Sequence, residues 1–127
     1  MVEKEKEDVR ILITGGRTYQ NKEKVFRILN EYKEADHIGL ITIIHGGAAG
    51  ADSLANEWGK ENNMPIEVYK AEWDLYGKAA GPIRNKLMAS KNIDFAIAFP
   101  GGKGTRNMIS ICSKNNISII DCSYDKD

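Results

Sequence analysis

Short apolar runs rich in β-branched residues recur along the chain, each closed by a turn and followed by apolar residues spaced for a helix. Residues 10–14 read as a buried strand ending in Gly15-Gly16-Arg17-Thr18, and Asn21 can cap the helix beyond, in which Val25, Phe26, Ile28, Leu29 and Tyr32 recur at helical spacing. The plan repeats with a strand over 40–44, a glycine turn over 45–50 and one helical face made by Ala51, Leu54, Ala55 and Trp58. Residues 65–70 predict a shorter strand nearer an edge, because its charges alternate with apolar residues. The irregular stretch 71–81, holding Trp73, Asp74 and Tyr76, suits a loop folded over a site. Pro82 then falls in the opening turn of a helix that carries Ile83, Arg84, Asn85 and Leu87. An apolar run after Asp94 predicts a strand, Pro100 to Thr105 a glycine-rich turn, and Met108, Ile109, Ile111 and Cys112 a helix; residues 117–121 close the sheet.

Strands alternating with helices predict an α/β fold: a single Rossmann-like three-layer domain with a mostly parallel, five-stranded sheet. Its expected limits are residues 10–121, after a flexible lead-in over 1–9 and before a short tail over 122–127. In such sheets the turns after the strands share one edge, and ligands bind where strand order reverses. Gly15 to Thr18, His45 to Asp52 and Gly101 to Asn107 are therefore expected around one crevice. Glycines leave N–H groups unshielded, and a helix starting at the same place adds a partial positive charge of about half an elementary charge. A turn of this kind suits phosphate or carboxylate, although a tight turn with no ligand has the same pattern.

Composition narrows the field. Lys plus Arg and Asp plus Glu both number 18, so no net charge draws the chain to nucleic acid or an anionic membrane, while a local basic patch stays open. The charged opening segment lacks the apolar core of a secretory signal, and no run reaches the length of a membrane span, so the expected setting is cytoplasmic. Cys112 and Cys122 have no metal-ligand spacing, and Cys112 falls on an apolar helical face. No metal and no resident cofactor are expected.

Four stretches, Thr14-Gly-Gly-Arg17, His45 to Asp52, Ala71 to Asn85 and Phe99 to Thr105, together resemble the YspA-related branch of the SLOG superfamily, in the same order and from about residue 10 to residue 120. The resemblance implies a Rossmann-like domain that binds nucleotides or nucleotide-derived molecules, including ADP-ribose-like signals. Relatives include the LOG phosphoribohydrolases, the single-stranded DNA-binding Smf/DprA proteins and sensors of cyclic ADP-ribose messengers in phage defence. Fold membership does not choose among these. SLOG relatives are frequently dimeric or larger, so a homo-oligomer is an open expectation. Single-stranded DNA is a weaker expectation than a small nucleotide-derived ligand, because the chain has no net charge and only two tryptophans.

On this resemblance Pro100, Gly101, Gly102, Gly104 and Thr105 form the phosphate-binding signature; Thr105 also has the chemistry of a helix cap. Gly46, Gly47 and Gly50 are expected to face the ligand, as are Gly15, Gly16 and Arg17. A carboxylate favours a helix N-terminus but repels phosphate bound there, so Asp52 is expected to meet ribose hydroxyls or to cap its helix. His45 is either a structural histidine or a ligand contact. Arg84 offers a planar fork to phosphate oxygens, Asn85 an amide to ribose or base, and Trp73 and Tyr76 a ring to a base. LOG enzymes carry a catalytic glutamate shortly after the Gly-Thr pair, and the aligned position here is Asn107. An amide neither stabilises the developing sugar cation nor activates water. Asp52 and Asp74 are the candidate replacements for the missing carboxylate.

Overall fold

The computed structural model describes residues 5–124; the remainder of the expected lead-in and tail lies outside the described residues. Five strands, β1 (Glu7–Thr14), β2 (Ile38–His45), β3 (Ile66–Val68), β4 (Phe95–Ala98) and β5 (Ser118–Asp121), alternate with helices α1 (Lys22–Lys33), α2 (Ala51–Glu61), α3 (Trp73–Tyr76), α4 (Ala80–Ala89) and α5 (Lys103–Lys114). The strand order is β3-β2-β1-β4-β5, and all four pairings are parallel. Strand order therefore reverses between β1 and β4.

Alternation along each strand feeds two cores. Ile11, Ile13, Ile41, Ile43 and Ile97 pack with Val25 and Leu29 of α1 and Ala55 and Trp58 of α2. Leu12, Ile44 and Ala96 point to the other face, against Met88 of α4 and Met108, Ile111 and Cys112 of α5. This is the expected three-layer arrangement, with helices on both faces of a parallel sheet.

The expected element bounds differ in three places. β1 starts at Glu7 rather than Arg10; its first residues are exposed, and Asp8 Oδ1 accepts from Leu40 N–H at 2.8 Å, so charged residues extend the strand without entering the core. β3 is shorter than the expected 65–70 stretch and forms one edge of the sheet. The stretch 71–81 is largely helical: α3 and a 3-10 turn over Gly77–Ala79 run directly into α4. Pro82 is the third residue of α4, where no intrahelical N–H is required.

Candidate functional site

The turns after β1 and β4 meet at a single residue, Gly16. Gly16 N–H donates to Pro100 O at 2.8 Å, while Gly16 O accepts from Tyr19 N–H at 3.3 Å and from Ala51 N–H, the first residue of α2, at 3.2 Å. Close approach needs glycines here. A Cβ on Gly50, which sits at φ +76°, would collide with Gly16 O, and one on Gly16 would lie 2.9 Å from Pro100 O. The expected convergence of three turns on one edge is thus built from backbone. Above it opens a crevice of about 1040 Å³.

The turn after β2 is already satisfied by its own side chains. Asp52 Oδ2 accepts from Gly46 N–H at 3.0 Å and Ala48 N–H at 3.2 Å, and Gly47 N–H donates to His45 Nδ1 at 2.9 Å. With Nδ1 accepting, His45 carries its proton on Nε2, which faces Asn56 Oδ1 at 2.8 Å. His45 is buried and lies outside the residues that line the crevice. Burial pushes the Asp52 carboxyl above its ordinary value, against the opposing pull of His45, the two amides and Arg84. Asp52 is not a side-chain cap of α2, whose N-cap is Gly50; its carboxylate instead holds the turn that leads into its own helix.

The turn after β4 is open. Gly102 is the N-cap of α5, not Thr105, and the first helical bond across the cap runs from Arg106 N–H to Gly102 O at 3.1 Å. The N–H groups of Lys103, Gly104 and Thr105 come before any intrahelical acceptor. A Cβ on Gly102 or Gly104 would meet nothing within 4 Å, so this turn faces open space. Gly101 differs: a Cβ there would collide with Thr105 Oγ1 and approach Gly16 N to 2.7 Å, which makes it a packing position beneath the turn.

Arg84, Asn85 and Asn107 connect the walls. Arg84 Nη1 donates to Gly46 O at 2.8 Å, Arg84 Nε to Asn85 Oδ1 at 2.9 Å, and Asn85 Nδ2 to Asn107 Oδ1 at 2.9 Å. No carboxylate among the described residues lies within ion-pair distance of Arg84; its neighbours are neutral acceptors. Burial lowers its guanidinium from the ordinary value, and Arg17 lowers it further by repulsion while Asp52 opposes both. Arg17 in turn lies 5.9 Å from the Trp73 ring centre.

Gly15, Gly16, Arg17, Gly46, Gly47, Asp52 and Trp73 line the crevice, together with Arg84, Asn85, Gly102, Gly104, Thr105 and Asn107. Asp74, Tyr76, Pro100, Gly101, Gly50 and His45 do not. Asp74 and Tyr76 lie on the exposed side of α3, and the glycines and Pro100 act through backbone packing. Sequence reasoning missed Lys70, Lys78 and Lys103 as lining residues. They bring the cations around the crevice to five with Arg17 and Arg84, against Asp52, whose carboxylate is engaged by the turn. The only signal was their position beside motif residues. Among the described residues no group of His, Cys, Asp and Glu is placed to hold a metal, and no helix is long and apolar enough to cross a membrane.

A doubly wound parallel sheet with three strand-end turns meeting at its order reversal defines a Rossmann-like domain with a crevice at the switch point. Residues 9–76 match the family described as YspA, cpYpsA-related SLOG family, and the chain belongs to that family. It is also 34% identical over 119 residues to the Gene 61 protein of Mycobacterium phage D29, an alignment that covers 88% of this chain and 94% of that protein. No solved structure matches the chain. The family match ends before Arg84 and the turn after β4, whereas the phage alignment is long enough to contain both. Membership in a SLOG family suggests nucleotide-related binding or LOG-like function.

Proposed function

We propose that the protein binds a nucleotide-derived, phosphate-bearing ligand in the crevice, for sensing, sequestration or carriage. The observation that carries this reading is the open turn Gly102 to Thr105: unpaired amides at the start of α5 inside a crevice ringed by five cations. Amides and guanidinium groups are donors with no competing acceptor, which suits phosphate oxygens. The turn after β2 supplies shape rather than phosphate contacts, because Asp52 and His45 occupy its amides. Trp73, half exposed on the wall, offers the ring for a base. Titrating ADP-ribose, nucleoside monophosphates and cyclic nucleotides while following thermal stability tests the reading. A rise in Tm with at least one of them, weakened by salt, is expected; no shift with any would overturn it.

A second reading, a nucleotide or ADP-ribose N-glycohydrolase, draws on one observation. Asp52 is a buried carboxyl on the crevice wall with a raised proton affinity, the usual condition of an acid or base residue. Chromatography of base released from ADP-ribose and nucleoside monophosphates decides between the two. Release that disappears in Asp52→Asn would favour hydrolysis, and intact substrate after long incubation would favour binding alone.

A further inference from the structure

Arg84, Asn85 and Asn107 form a series whose hydrogen-bond polarity is set from one end. A guanidinium has donors and no acceptor, so the Asn85 atom 2.9 Å from Arg84 Nε is the amide oxygen. Asn85 Nδ2 is thereby turned the other way, toward Gly104 O at 3.4 Å and Asn107 Oδ1 at 2.9 Å. The Gly104 carbonyl cannot donate either, so it enforces the same orientation from a second direction. Asn85 is 4% exposed, which keeps water from substituting for either partner. Asn107 has no choice left: its oxygen faces Asn85, and Nδ2 is on the far side of its amide. Asn107 is half-buried and lines the crevice, and no acceptor for this Nδ2 occurs among the described residues.

We propose that Asn85 is a positioning residue that holds Asn107 as a hydrogen-bond donor toward the crevice, so that the ligand atom seated there is a hydrogen-bond acceptor. Such an acceptor in a nucleotide-derived molecule is a phosphate oxygen, a sugar oxygen, or a ring nitrogen or carbonyl oxygen of the base. A base amino group is disfavoured at this point, because donor would face donor. The inference rests on the reading of the crevice as a nucleotide site and narrows it to one contact. It also gives the amide at position 107 a use of its own, in place of a carboxylate.

The test combines side-chain NMR with binding. In the protein without ligand, the Asn85 NH2 protons exchange slowly with water and those of Asn107 quickly; the reverse order would overturn the series. ADP-ribose shifts the Asn107 NH2 resonances, and Asn107→Leu weakens its binding by about tenfold or more, the loss of one hydrogen bond to a charged or strongly polar acceptor. Asn85→Leu removes the amide engaged by Arg84 and Asn107, leaves Asn107 free to turn and weakens binding in the same direction. Inorganic pyrophosphate separates the sources: a matching loss with pyrophosphate assigns a phosphate oxygen, and a loss with ADP-ribose alone assigns an acceptor on the sugar or the base. Equal ADP-ribose affinity for wild type and Asn107→Leu, or unmoved Asn107 resonances in the bound protein, would overturn the inference and leave the nucleotide reading standing. If neither ADP-ribose nor any nucleoside monophosphate or cyclic nucleotide binds wild type, the nucleotide reading fails, and this inference with it.

Discussion

The guanidinium carbon of Arg17 stands 5.9 Å from the centre of the Trp73 ring, joining the turn after β1 to the short helix on the opposite wall of the crevice. An exposed contact of this kind contributes about 0.5–1 kcal/mol. A phosphate that claims Arg17 therefore displaces it readily, and Trp73, 49% exposed, reports the change. Adding ADP-ribose is expected to alter tryptophan emission in wild type and to leave Trp73→Phe unchanged. The other tryptophan, Trp58, is fully buried with Nε1 bonded to Asn30 Oδ1 at 2.9 Å, and stays silent.

Two glycines, Gly104 lining the crevice and Gly50 packed against Gly16 beneath it, should respond in opposite ways to alanine. Gly104 lies inside α5 with open space where a Cβ would go, so Gly104→Ala is expected to stabilise the fold by up to about 1 kcal/mol through helix propensity. The same methyl shields the open amides and weakens ligand binding. Gly50→Ala meets Gly16 O at a positive φ and is expected to cost about 1–3 kcal/mol. Urea denaturation and calorimetric titration of both variants check the contrast.

Away from the crevice, Arg10 clasps Glu67 through both Nη groups at 2.7 and 2.8 Å, and Tyr69 adds its hydroxyl at 2.8 Å. The Arg10 hydrogen bonds, then that of Tyr69, hold the Glu67 carboxyl down at about 2 from an ordinary 4.5. A depressed carboxylate contributes stability that is complete above the ordinary value and disappears as pH falls through the folded one. The Tm gap between wild type and Glu67→Gln is expected to be constant above pH 4.5 and to narrow steadily toward pH 2. Partial solvent exposure keeps the gap small, equivalent to about 1 kcal/mol or less.

Asp52 should show the opposite slope. Its folded proton affinity is raised, mainly by burial, so the ionised form costs stability at neutral pH, and that cost is relieved as pH falls through the raised value. Asparagine keeps an oxygen for the Gly46 and Ala48 amides without the charge. Asp52→Asn is expected to match or exceed wild type in Tm at pH 7, and wild type to gain on it in acid. A variant less stable at pH 7 and equal in acid would show that the ionised carboxylate is needed.

The periodicities exposed most of the fold, because parallel strands buried on both faces leave unbroken apolar runs such as Ile11-Leu12-Ile13 and Ala96-Ile97-Ala98. Glycine placement likewise disclosed which turns meet. What stayed hidden depends on side chains meeting across long separations. Asn85 and Asn107 are 22 residues apart on different helices, and nothing local marks them as partners. The engagement of Asp52 with Gly46 and Ala48 follows from the φ values of a turn, which a glycine permits without dictating. Trp73 to Ala79 read as irregular because its two short helical pieces bury no residue, so no apolar stripe announces them.

Gly16, gripped through both its N–H and its C=O, fixes the floor of the crevice, whereas the wall over 70–81 rests on no buried side chain before Ala80. A substitution or insertion in that wall leaves the three strand ends where they are. Proteins sharing this floor can thus diverge in ligand choice by exchanging one short surface segment, and comparing that segment is the quickest way to sort them.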